Sequence, residues 1–153
     1  MGNAYNLKVR WSRNYTIEGA LDHEDEEYEF LYMVLRKRKY KGVDKFKVLY
    51  IGMCYSEYFS ERFRSHHKLW DMIAEQYTIG KILIRFGKII LPPGRRISEK
   101  LVRDVEAALI QEVQPEYNEM STYAYRGREL KIKNIGNYSP LPRIIETSGW
   151  EWV

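Results

Sequence analysis

Between residues 28 and 113 the chain alternates between two hydrophobic periods. Residues 29–35 and 46–53 are rich in β-branched, aromatic and aliphatic side chains, and the polar stretch between them contains Gly42-Val43-Asp44. This pattern predicts a β-hairpin with a long basic loop. Ser56 is the expected N-cap of a helix that starts at Glu57, reaches about His67 and continues through Trp70 and Ile73. At about 100° per residue, Tyr58, Phe59, Phe63, Leu69, Trp70 and Ile73 share one arc of it. Residues 81–91 read as a third strand, Pro92-Pro93-Gly94 breaks the chain, Ser98 caps a second helix, and Pro115 lies just past its expected end near Val113. The expected fold is α/β (α+β): a small three-stranded antiparallel sheet flanked by helices in the order β-β-α-β-α. Residues 129–135 and 144–147 add short strands in the C-terminal tail. Leu7, Val9 and Trp11 alternate as in an edge strand or arm. The organisation read from this is an N-terminal extension with an acidic linker (1–27), a core (28–120) and a C-terminal extension packed on it (121–153).

At 153 residues and 44% hydrophobic content, the chain has the size and apolar area of one folded domain. Its longest apolar runs, 30–35 and 48–51, are far shorter than the roughly 20 residues of a membrane span. The start carries no apolar signal segment, so the expected compartment is the cytoplasm. A single cysteine, Cys54, excludes an internal disulfide, and three histidines cannot complete a Cys/His zinc cluster, so any metal would be held largely by oxygen. Net charge is +4, yet residues 22–29 hold six acids and no lysine or arginine, which leaves the rest of the chain at +10. Arg36, Lys37, Arg38, Lys39, Lys41, Lys45 and Lys47 stand against one acid, Asp44. Such a cluster attracts phosphates through counterion release, which makes nucleic acid the leading partner class. A solvated, lysine-rich surface is the alternative.

Three polar residues fall where the helical pattern calls for core. Arg62 and His66, four apart, lie within the apolar arc of the first helix, and Glu106 lies among Leu101, Val102, Val105, Leu109, Ile110 and Val113 of the second. An unpaired buried charge costs several kcal/mol, so these groups must find partners in a shared cleft. The partner is either a structural Arg62–Glu106 salt bridge, with His66 near the core, or a ligand.

Phe30-Leu31-Tyr32, then Tyr50-Ile51-Gly52, then Arg62 and His66 on one helix, Glu106 with Leu109-Ile110 on a second, and Tyr117-Asn118 follow one another in that order. This succession resembles the GIY-YIG nuclease family over residues 28–118. The first motif keeps its tyrosine and lacks the leading glycine, and the hairpin connection is longer than the family minimum. The resemblance implies a metal-dependent endonuclease that hydrolyses phosphodiester bonds in DNA with one Mg²⁺ or Mn²⁺ per site. It implies Glu106 as metal ligand, Arg62 on the pentavalent phosphate, and Tyr32, with Tyr50 or His66, positioning or deprotonating the attacking water, while Asn118 helps to hold the site. The residue types suit that chemistry. A guanidinium is a planar donor that cannot lose its proton, and Mg²⁺ commonly takes one carboxylate and keeps several waters. One site cuts one strand, so a double-strand break would take a homodimer or two events. The competing reading is a catalytically silent nucleic-acid-binding module of the same fold.

Overall fold

The structure, a computed structural model, describes residues 5–23, 29–119, 125 and 127–147. Most of the acidic run (24–28) and the Trp150-Glu151-Trp152 end lie outside the described residues.

The elements are β1 (Tyr5–Trp11), α1 (Ile17–Asp22), β2 (Phe30–Tyr40), β3 (Val43–Cys54), α2 (Phe59–Ser65), α3 (His67–Gln76), β4 (Lys81–Ile90), α4 (Glu99–Val113), β5 (Leu130–Gly136) and β6 (Ile144–Glu146). All six strands join one mixed sheet in the order β3-β2-β4-β1-β5-β6. This corrects the expectation of a small three-stranded sheet with accessory strands in the tail. The cause is β1, which is an interior strand and neither an edge nor an arm. It runs antiparallel to β4, with Val9 opposite Ile89, and parallel to β5, with Val9 opposite Asn134, so it joins the tail strands to the rest. Its alternation puts Leu7, Val9 and Trp11 into the core, and the buried Trp11 Nε1 donates to Asn134 Oδ1 at 2.9 Å. A strand with one wholly apolar face is driven into the protein by that face.

The sheet carries two apolar layers. On one face Leu7, Val9, Met33 and Ile51 pack with Leu101, Val105 and Leu109 of α4. On the other, Tyr32, Val34 and Ile84 pack with Ala20 of α1, Phe59 and Phe63 of α2, and Leu69 and Met72 of α3. Ser98 caps α4 as expected, its Oγ accepting from Leu101 N at 3.1 Å. The first long helix is two helices, because the backbone turns at His66 (φ −106°, ψ 87°). The turn rotates the second segment. Leu69 and Met72 are buried while Trp70, expected in the apolar arc, is 49% exposed, its Nε1 donating to Phe63 O at 3.1 Å. The start also moves. Ser56 has φ 59° and lies outside the helix, and Tyr58 is the N-cap, its N–H donating to Glu61 Oε1 at 3.3 Å.

The long basic loop proves to be paired strand. Register runs without interruption from Leu35↔Val48 to Tyr40↔Val43, and Lys41 (φ 51°) and Gly42 (φ 78°) make a two-residue turn of the type I′ kind. Pairing of β2 with β4 ends at Lys37↔Lys81, so residues 38–45 project beyond the sheet as a two-stranded ribbon. No described helix is long and apolar enough to cross a membrane.

Candidate active site

A β-bulge builds the site. The β2–β3 register shifts between Val34 and Leu35, which face Tyr50 and Val48, so Leu49 is the extra residue. Upstream of it Val48 packs toward α4, and downstream Ile51 does so too. Leu49 and Tyr50 therefore both turn toward the α2–α3 side. Without the bulge Tyr50 would point into the α4 layer. With it, Tyr50 joins Tyr32, the rings tilted with centroids 6.0 Å apart.

Gly52 supplies the room for Tyr32. The two are register partners, and a Cβ at Gly52 would lie inside contact distance of the Tyr32 ring and hydroxyl. Gly52→Ala is therefore expected to cost roughly 1–3 kcal/mol of stability, the usual cost of overpacking a filled core. Urea unfolding checks this, and an unchanged midpoint would mean that the ring does not lie across Gly52.

Tyr50, Arg62, His66, Glu106 and Asn118 line one cavity of about 430 Å³. It opens at the free edge of β3, between α2–α3 on one side and α4 on the other. Tyr117 N donates to Leu49 O at 3.0 Å, and Asn118 closes a carboxamide pair with Ile51, accepting from its N and donating to its O, each at 2.9 Å. The segment after α4 thereby covers part of the β3 edge and fixes the cavity wall, a positioning role for Asn118. The Tyr50 hydroxyl lies 3.0 Å from His66 Nε2. Burial and the Arg62 charge lower the His66 pKa, so the imidazole is neutral at pH 7 and can share a hydrogen bond with the phenol in either direction.

Tyr32 is fully buried behind Tyr50 and does not line the cavity. Its hydroxyl and the Arg62 guanidinium influence one another's protonation, yet neither Tyr32 Oη nor Arg62 Nε completes a hydrogen bond. Buried polar atoms without partners are costly, and of the two residues Arg62 alone reaches the cavity wall. Burial and then Tyr50 push the Tyr32 pKa well up, and burial and then Glu106 raise that of Tyr50. Both phenols are hydrogen-bond donors at neutral pH.

Glu106 makes no hydrogen bond or ion pair with any described residue. In particular the Arg62–Glu106 salt bridge of the structural alternative is not formed. The buried ion pair of α4 belongs to its neighbour Asp104, bonded to Arg128 Nε at 2.8 Å. Burial raises the Glu106 carboxyl to a pKa of about 7, with Arg62 and Arg103 pulling the other way. A poorly solvated carboxylate on a cavity wall suits an oxygen-seeking dication, with water and ligand oxygens completing its shell. Glu106 would be its protein ligand; no group of three or more His, Cys, Asp or Glu side chains is arranged for a metal among the described residues. The sequence did not single out Tyr55, Glu57 or Arg103, which also line the cavity. Arg103 was legible, because it stands three residues before Glu106 on the same helix.

The basic residues divide. Arg38, Lys39, Lys41 and Lys45 are exposed on the ribbon. Lys37 pairs with Asp44 at 3.4 Å and Lys47 with Glu116 at 3.6 Å. Arg36, expected as a DNA contact, is turned inward, its Nη1 donating to Gln76 Oε1 at 2.5 Å, while Gln76 Nε2 donates to Tyr117 Oη at 2.8 Å. It ties the base of the ribbon to α3 and to the segment after α4. Searches of protein-family models, curated proteins and solved structures returned no match to this chain.

Proposed function

We propose that the protein is a metal-dependent DNA endonuclease of the GIY-YIG type that hydrolyses phosphodiester bonds in the cytoplasm. The observation that carries this reading is the unmatched pair on opposite walls of one cavity. Arg62 and Glu106 both line it, and the Arg62 charge lowers the Glu106 pKa without the two forming an ion pair. A phosphate oxygen beside Arg62, with a cation on Glu106, would satisfy both walls at once. Bound there, Mg²⁺ or Mn²⁺ would polarise the phosphate and lower the pKa of a coordinated water. Arg62 would hold the non-bridging oxygens as negative charge gathers on them, and Tyr50 with His66 would orient the water. Asn118 keeps the wall that carries Tyr50 in place.

Double-stranded DNA is the substrate this reading calls for, with the ribbon binding it electrostatically. Replacing Arg38, Lys39, Lys41 and Lys45 by Ser should flatten the dependence of log K on log salt, by about 0.9 for each phosphate the protein no longer neutralises. Single-turnover cleavage at saturating protein should stay within a few-fold of wild type. An unchanged slope would leave the ribbon as mere surface.

The silent binding module is the second reading, and Arg62 on the cavity wall would suit a bound backbone phosphate there too. Labelled duplex incubated with protein in Mg²⁺ and run on a denaturing gel separates the two. Shortened strands that disappear when EDTA is added are expected. Intact strands, from duplex that is nonetheless retarded in a native gel, would favour the module.

A further inference from the structure

The helices leave half of one sheet face open. The layer formed with α1, α2 and α3 draws on β2, β3 and β4 and takes no residue from β1, β5 or β6. Side chains that alternate away from the α4 layer therefore stand on an open surface: Lys8 and Arg10 of β1, Lys88 of β4, and Lys131 and Lys133 of β5. Cross-strand register sets like charges against one another where Lys8 stands opposite Lys133. Such pairs oppose folding. The acid of β6 on this face, Glu146, reaches Lys131 at 3.8 Å. Lys8, Arg10 and Lys133 form no ion pair with any described residue.

The surface is concave where it meets the chain leaving β4. Lys8, Lys131 and Lys133 line a hollow of about 460 Å³ whose far wall is Ile90, Leu91 and Pro92. No aromatic side chain lines it. Platforms for single strands stack bases on aromatic rings, whereas duplex phosphates need only a row of cations.

We infer that this open face of β1, β4 and β5 is a second DNA-binding surface, which holds the backbone of duplex DNA away from the cleavage cavity. The cavity opens at the β3 edge, and three strand spacings of about 4.8 Å separate β3 from β1. Cations kept in register against their own repulsion are what a phosphate ladder would neutralise.

This inference rests on the reading of the protein as DNA-binding, and one titration separates the two. The probes are a 40-base-pair duplex and a single strand of the same length, in Ca²⁺ across a range of salt. The variant combines Lys8→Ser, Arg10→Ser and Lys133→Ser. The pair Lys8→Gln with Lys133→Gln keeps more of the side-chain stems should the triple variant not fold. For the duplex, the triple variant should flatten the slope of log K against log salt by about 2 to 3, at about 0.9 per phosphate, with single-turnover cleavage at saturating protein within a few-fold of wild type. Its thermal midpoint should equal or exceed that of wild type, because the repulsion is gone. If wild type binds and the variant keeps the wild-type slope, the second surface is refuted while the nuclease reading stands. A change confined to the single strand refutes the duplex assignment. Wild-type protein that binds neither probe refutes both readings.

Discussion

Glu106→Gln is expected to abolish cleavage in Mg²⁺ while DNA binding in Ca²⁺ stays within a few-fold of wild type. The substitution keeps volume and shape and removes the one property a dication needs, the negative charge. The environment sharpens the expectation. With its pKa raised to about 7 by burial, the wild-type carboxyl is largely protonated in mild acid, so cleavage at limiting Mg²⁺ should rise as pH increases through that value. Stability should move the other way. The folded pKa lies above the ordinary carboxyl value, so the folded state holds the extra proton between about 4.5 and about 7, and wild-type stability falls as pH rises through that window. The Gln variant is free of this pH-dependent destabilisation and should melt no lower than wild type at pH 8. A variant that cuts at near wild-type rate would remove Glu106 from the metal.

Arg62→Lys is expected to be nearly as damaging as Arg62→Ala, with each losing on the order of a hundredfold or more in single-turnover rate. Burial works against the charge of Arg62, while Tyr32 and Tyr50 draw its pKa up, so the guanidinium remains charged. Lysine keeps a charge but replaces a planar fork with a compact ammonium that cannot span two phosphate oxygens. Rates for both variants at saturating DNA, with affinity measured separately in Ca²⁺, check the point. Recovery of most activity by Lys would reduce Arg62 to a source of positive potential.

The parts of this arrangement that follow local chemistry were legible in the sequence. Ser98 before an apolar stripe marks the start of α4, and Arg62, His66 and Glu106 on apolar arcs point to one cleft, where all three do line a cavity. What could not be read depends on residues far apart in the chain. The alternation of Leu7, Val9 and Trp11 is the same for an edge strand and an interior one, and only pairing with Ile89 and Asn134 decides it. The bulge at Leu49 leaves no mark in residue type, yet it sets the direction of Tyr50. The turn at His66 lies inside an unbroken apolar pattern, which places Trp70 in the core although it stands at the surface. Lys41-Gly42 is a weaker turn signal than Asn-Gly, which is why seven basic residues read as a loop where two strands pair.

Supercoiled plasmid incubated with the purified protein, with Mg²⁺ and with EDTA, tests the central claim most directly. One cavity with one metal on Glu106 would cut one strand at a time, so open circles should accumulate before linear molecules in Mg²⁺, and neither should form in EDTA. Plasmid that stays supercoiled in Mg²⁺ and Mn²⁺ while bound by the protein, or nicking that persists undiminished in EDTA, would contradict it.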